Sequence, residues 1–223
     1  MADSALKASI FQRLHPRAYL ERFVAESVRP DGRPFDAWRD VSVNVGSIST
    51  ANGSALVRLG ETTIVCGVKA EIAEPELDAP DQGFLVPNID LPALCSPKFK
   101  PGPPSDEAQV LSDRLNEVLS SYQHITSENG LTTCSRTASS PLQMLKTPVS
   151  FSFGVFDATL LADPTAFEEP LLDTTISVVV DENGDLVSVV QLGPGVDTGA
   201  ADTLSTCISS AKTRRVVLGG QIP

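Results

Sequence analysis

Basic charge is in short supply. Only 17 Lys and Arg stand against 28 Asp and Glu in 223 residues, a formal net charge of −11. Affinity for nucleic acid comes mostly from Lys and Arg that neutralise phosphates, so this chain is not expected to hold RNA or DNA alone. Partners must supply much of the field. The deficit is spread along the chain, with 12 basic and 17 acidic residues in 1–122 and 5 and 11 in 123–223. Its general consequence is solubility. Cysteine is scarce: Cys66, Cys95, Cys134 and Cys207 lie far apart, and only His15 and His124 could join them. No metal is expected from that set, and the default is free thiols in a reducing compartment. No apolar run approaches the ~18 residues of a membrane helix. Met1–Phe11 also lacks the apolar centre of a signal peptide. A soluble chain with no membrane partner and no cofactor is therefore expected. No G-x-S-x-G elbow, G-x-x-x-x-G-K-[ST] loop or H-E-x-x-H motif occurs.

What is present reads as a folded α+β chain. Hydrophobic residues make up 41%, and a chain of this length buries roughly 70% of its unfolded surface. Tyr19, Leu20, Phe23 and Val24 recur at helical spacing over 16–27, with Pro16 suited to a first turn. Arg29-Pro-Asp-Gly-Arg-Pro34 ends that helix. From Val41 the period becomes two. Asn52-Gly53 and Gly60-Glu61 separate the stretches 41–46, 54–59 and 62–71, which predicts a three-stranded meander with an Asn-Gly hairpin.

Residues 75–104 are rich in proline, with 84–91 a candidate edge strand. Ser105 caps a helix over 105–122 whose stripe includes Val110, Leu111 and Leu115. Residues 123–148 are Ser/Thr-rich and keep neither period. Strands follow at 149–156, 159–162, 174–180 and 185–191, with a turn at Asp181-Glu-Asn-Gly184. A helix over 200–215 buries Leu204, Cys207, Ile208 and Ala211, and 216–223 is expected to be an irregular tail.

Few side chains suggest chemistry. Asp163, Glu168, Glu169 and Asp173 cluster at strand ends. Such oxygens can hold a divalent cation, although a solvated turn is the commoner outcome. Lys98, Phe99 and Lys100 set an aromatic between two bases in a loop, a candidate contact to single-stranded RNA.

Arg29-Pro-Asp-Gly-Arg33 and the run from Gly46 to Glu71 resemble the ribonuclease-PH-type family. So do Asp78–Asp81, Val86–Pro92, Phe153–Asp157, Asp163–Thr165 and the hairpin around 181–184. The similarity covers about 15–122 and 147–215, and is nearest to a branch found in the ring of the eukaryotic RNA exosome. It implies a two-layer sheet-and-helix fold of the ribosomal protein S5 domain 2 type. Its first part would be 1–122 and its second 149–215, with 123–148 replacing family core strands and a helix, so that the fold is incomplete.

The resemblance also implies a place in a ring that threads RNA toward a 3′-to-5′ exoribonuclease, in nucleus, nucleolus and cytoplasm. Its partners would be the other ribonuclease-PH-like ring subunits, RNA-binding cap subunits, and RNA as part of the complex. Active members carry Asp-x-Asp where this chain has Asp173-Thr174-Thr175, so Thr175 stands in place of the catalytic acid. They also carry an arginine-rich helix start. Here Glu107 and Arg114 fit, but Val110 occupies an arginine position, and Arg114 remains a candidate RNA contact. A threonine cannot donate a proton as a carboxylic acid does, and a lost electrostatic donor typically costs 10²–10³ in rate. The resemblance therefore implies a non-catalytic subunit, with a phosphate-dependent exoribonuclease as the alternative.

Overall fold

The computed structural model describes residues 2–71, 73–74, 77–78, 83–120, 146–194 and 200–220. The chain divides into two compact units, Met1–Lys69 with Val149–Pro223, and Ala70–Pro148.

In the first unit, helices α1 (Ala2–Leu14) and α2 (Pro16–Ala25) precede a meander of β1 (Val41–Val45), β2 (Gly53–Leu59) and β3 (Thr62–Val68). These three strands form one antiparallel sheet in the order β1-β2-β3. The second sheet contains β4 (Val149–Phe156), β5 (Thr159–Ala162), β6 (Thr174–Val180) and β7 (Leu186–Leu192), in the order β5-β4-β6-β7. Helix α4 (Ala200–Gly219) follows.

The four-stranded sheet buries one apolar face along its length, while its other face is buried at the Phe156 end and exposed at Ser150 and Ser152. Phe151, Phe153, Val155, Ile176, Val178 and Val180 share one side and pack with Cys207, Ala211 and Leu218 of α4. Trp38 stands edge-on to the rings of Phe151 and Phe153, at 5.5 and 5.3 Å. Phe156 and Leu161 meet Leu20 of α2, ringed by Val24, Phe35, Phe167, Leu171 and Leu172. Gly154 makes this second face close: a Cβ there would lie 2.3 Å from Leu172 Cδ1, so only glycine admits the leucine. The turn after β6 is closed by Asp181, whose Oδ1 accepts from the N–H groups of Asn183 (2.9 Å) and Asp185 (2.8 Å).

The second unit contains α3 (Asp106–Ser120). Ser105 Oγ accepts from the Ala108 N–H at 3.3 Å, so the expected cap forms. Ser112 Oγ accepts from the Ile89 N–H at 2.8 Å and ties the proline-rich stretch to the helix.

Several expectations are corrected. The β1–β2 connection is not a tight Asn-Gly hairpin. It runs over 46–52, with the left-handed φ at Gly46 (77°), and Gly53 is already strand. Ser54 Oγ accepts from the Ile48 N–H at 2.9 Å and stabilises the longer loop. Residues 84–91 form no strand. Their prolines remove ladder donors, and the Ile89 N–H goes to a side chain instead.

Helix α1 was not anticipated, and α4 continues to Gly219 rather than ending at 215, since Leu218 is buried against the sheet. The expected stripe of α3 leaves Val110, Leu111 and Leu115 exposed. His124, Cys134 and the irregular segment up to 145 lie outside the described residues, as do 221–223.

Candidate functional site

The position expected to carry catalysis lies at the start of β6. Asp173 immediately precedes the strand and its N–H donates to Val155 O at 2.9 Å. Both of its carboxylate oxygens accept a hydrogen bond. Oδ1 accepts from Arg17 Nη1 at 3.2 Å and Oδ2 from the Asp157 N–H at 3.1 Å. The Asp157 N–H and Arg17 hold this carboxyl below the usual carboxylate range, despite partial desolvation. Arg17, in the first turn of α2, also donates to Asp157 Oδ1 at 3.1 Å and lies 5.0 Å above the Phe156 ring. Two residues beyond Asp173, Thr175 is half-buried and pairs with Gly154 of β4 and Leu192 of β7. No acid occupies that place. The nearest carboxylate along the strand is tied to an arginine, and is unsuited to proton transfer near neutral pH.

The acidic cluster is dismantled by three arginines from the segment between α2 and β1. Asp163 takes Arg39 Nη2 on Oδ1 at 2.6 Å, and Arg39 Nε on Oδ2 at 2.8 Å. The Arg39 N–H and Arg33 Nη1 also reach Oδ2, at 3.0 and 3.3 Å. Glu168 is fully buried and pairs bidentately with fully buried Arg29, one bond being Arg29 Nε to Oε1 at 2.9 Å. It also accepts from the Thr165 N–H and Oγ1, at 2.7 and 2.9 Å. Arg29 also donates to Ala162 O and Asp163 O, at 2.6 and 3.0 Å.

Burial alone would push both carboxyls up. The arginines and backbone donors outweigh it and hold both below their ordinary values. Glu169 lies exposed in a single 3₁₀ turn, Glu169–Leu171. The cluster is thus a set of ion pairs rather than a cation site. No grouping of His, Cys, Asp and Glu suited to a metal occurs among the described residues. No described helix is long and apolar enough to cross a membrane.

The second unit holds the candidate RNA contacts. Lys98, Phe99 and Lys100 line a cavity of about 590 Å³ together with Asp90, Leu94, Pro101, Pro103 and Pro104. Lys98 Nζ lies 2.8 Å from Glu107 Oε2 and 5.0 Å from the centre of the Phe99 ring. Glu107 therefore neutralises one of the two bases. Arg114 is half-buried on α3, outside that cavity, and Val110 is half-exposed on the same helix.

Sequence reasoning missed the Arg17–Asp157–Asp173 and Arg29–Glu168 pairings. Each joins residues more than 130 positions apart. The Arg29-Pro-Asp-Gly-Arg33 motif was the one available signal, and it gave no partner.

An α+β fold with a helix-covered four-stranded sheet and a separate meander defines a ribonuclease-PH-like protein. Domain 1 of the 3′ exoribonuclease family matches residues 37–162 and domain 2 matches 146–214. The chain belongs to this 3′ exoribonuclease family.

Among its relatives is the exosome complex component rrp43 of Schizosaccharomyces pombe, 35% identical over 236 residues, taking in 83% of this chain and 87% of the relative. The exosome complex component Rrp42 of Thermococcus gammatolerans is 26% identical, with 87% and 88% covered. A solved structure of the Archaeoglobus fulgidus exosome with RNA bound to the active site superposes with a TM-score of 0.73 at 27% identity. It covers 91% of this chain and 97% of that one. The alignment to the fission-yeast relative, at 236 positions, is longer than the 223 residues of the whole chain. That relative therefore carries residues with no counterpart here.

Proposed function

We propose that this chain is a non-catalytic ring subunit of the RNA exosome, similar in type to rrp43. In this role it scaffolds the ring beside other ribonuclease-PH-like subunits and RNA-binding cap subunits. It helps pass RNA to a 3′-to-5′ exoribonuclease, in rRNA maturation and mRNA turnover. The exosome relatives support the ring role, and the chain would accompany the complex in nucleus, nucleolus and cytoplasm.

The single observation that carries the lack of catalysis is Thr175 in the half-buried strand position where phosphorolysis needs an acid. Asp173 does not replace it, because Arg17 and the Asp157 N–H already hold its oxygens. Stabilising charge as it develops requires donors and acids that are free to act. On the helix, Val110 offers no guanidinium to phosphate, while Arg114, Phe99 and Lys100, and Lys98 once it parts from Glu107, are the candidate contacts with RNA.

Incubating the purified chain with end-labelled RNA and inorganic phosphate tests the reading. The RNA is expected to stay intact, whereas release of nucleoside diphosphates would establish a phosphorolytic enzyme. Native mass spectrometry of the chain mixed with the other ring subunits tests the scaffold role, with one copy per ring as the expected outcome. A second reading, an assembly-incompetent shortened form, is favoured by the exposed β3 strand and by the extra residues of the relative. Absence of the chain from every ring in that experiment would establish it.

A further inference from the structure

The acidic balance of the chain reverses locally at its start. Residues 2–26, which hold α1 and α2, carry Lys7, Arg13, Arg17 and Arg22 against Asp3, Glu21 and Glu26. Arg17 is occupied by Asp157 and Asp173. Arg22 is not: its guanidinium lies 4.5 Å over the ring of Phe11, and no carboxylate among the described residues pairs with it.

The same stretch concentrates aromatic side chains in a chain that has few. Phe11 and Tyr19 have ring centres 6.3 Å apart, and Tyr19 and Phe23 are 4.9 Å apart. Phe167 meets Tyr19 edge-on at 5.9 Å and backs the cluster from the sheet side. All three rings of α1 and α2 are half-buried, so each keeps an open part. Between the two helices runs a groove of about 360 Å³, walled by Phe11, Tyr19 and Phe23 and rimmed by Arg22 and Lys7.

Aromatic walls with a guanidinium at the rim are elements that bind single-stranded polynucleotides. The ring faces stack bases of any sequence, and the cation meets a flanking phosphate. A second copy of this chain fits poorly, because it would bring an equally basic rim against this one. We propose that the α1–α2 groove binds single-stranded RNA. One base stacks against Phe11 and Tyr19, and an adjacent phosphate lies on Arg22. The choice of RNA rests on the exosome reading. The groove is distinct from the cavity at Lys98–Lys100.

Fluorescence anisotropy of the full chain with a labelled oligouridylate of about eight nucleotides tests it. Phe11→Leu keeps the apolar volume but removes the stacking face, and is expected to weaken binding about ten-fold. Arg22→Gln should weaken it similarly and lower the salt slope by about one. Arg58→Gln, which removes the same charge from an exposed strand position, should leave affinity unchanged. Should Phe11→Leu melt early, Ala8→Trp supplies the check by filling the groove from its α1 wall. Ultraviolet crosslinking followed by mass spectrometry should place the adduct on Phe11 or Tyr19.

The proposal is overturned if the wild-type chain shows no binding, or if Phe11→Leu, Arg22→Gln and Ala8→Trp bind like wild type. A change in self-association or in capture of a ring subunit without a change in RNA affinity overturns it too. Ring incorporation by native mass spectrometry is read separately, so loss of the groove reading leaves the scaffold reading standing.

Discussion

The two sheets of the first unit are written in the same alphabet and meet different fates. Both are built from alternating and β-branched residues, and both pair antiparallel, with one register shift between Val179 and Val180 where β6 meets β7. In the four-stranded sheet Phe153, Ile176 and Val178 are at most 1% exposed. In the meander, every residue of β3 is exposed, with Ile64 at 62% and Val65 at 57%. The register puts Val45, Val57, Ile64 and Cys66 on one face, which is an apolar surface by any measure of pattern. The difference is the presence of helices. Helix α4 covers one side of the larger sheet and α2 meets the other at Phe156 and Leu161, while the meander has only Val41 packed against that core. Strand pattern fixes pairing; burial requires a second layer.

The sharpest way to break this comparison is at the centre of each sheet. Phe153→Ala is expected to cost about 3–5 kcal/mol, by lost transfer energy and the cavity left behind. Ile64→Ala should stay within about 0.5 kcal/mol, as for an exposed site. Chemical denaturation of the two variants measures both, and equal losses would show that the meander is buried in solution.

Next in size is the ion pair beneath the larger sheet. Arg29→Met leaves Glu168 buried without its partner and is expected to cost about 3–5 kcal/mol. Arg29→Met combined with Glu168→Leu should recover much of the loss, a coupling that a thermodynamic cycle reads directly.

The same pairs set the acid response. Asp163 and Glu168 have folded values held below their ordinary 3.8 and 4.5. Their stabilisation is thus complete above the unfolded values, and is lost as pH falls from about 5 through the lowered folded ones. The melting temperature should be flat near neutrality and fall below pH 5. Asp163→Asn should shrink that fall.

The smallest effect, and the simplest to read, is thiol labelling. Burial pushes the Cys207 thiol up to about 11, while Cys66 on β3 is exposed. Iodoacetamide at neutral pH should modify Cys66 well before Cys207.

Much of this was legible in the sequence, for local reasons. The strands at 41–45, 54–59, 62–68, 149–156 and 174–180 announce themselves by alternation and β-branching. Ser105 and Asp181 announce their own cap and turn. The buried face of α4 was readable from Leu204, Cys207, Ile208 and Ala211. Helix α1 was not, because Leu6, Ile10 and Leu14 remain at least 47% exposed, so no buried stripe marks it. The acidic cluster misled because what neutralises Asp163 and Glu168 lies at Arg29, Arg33 and Arg39, over a hundred residues away, and spacing carries no trace of that. At residue 175, a threonine supplies no carboxylic acid by residue type alone. The engagement of Asp173 by Arg17 needed coordinates.

The arginine clip bears on synthesis as well as on structure. Arg29 closes onto Ala162, Asp163 and Glu168 across 133 to 139 residues. During translation the N-terminal segment therefore leaves the ribosome long before its anchor is made. Three guanidinium groups wait in water until the strand β5 has emerged, and only then can the segment between α2 and the meander seat itself. Nascent chains stalled before residue 162 should leave this part open to protease, and chains released after residue 168 should protect it.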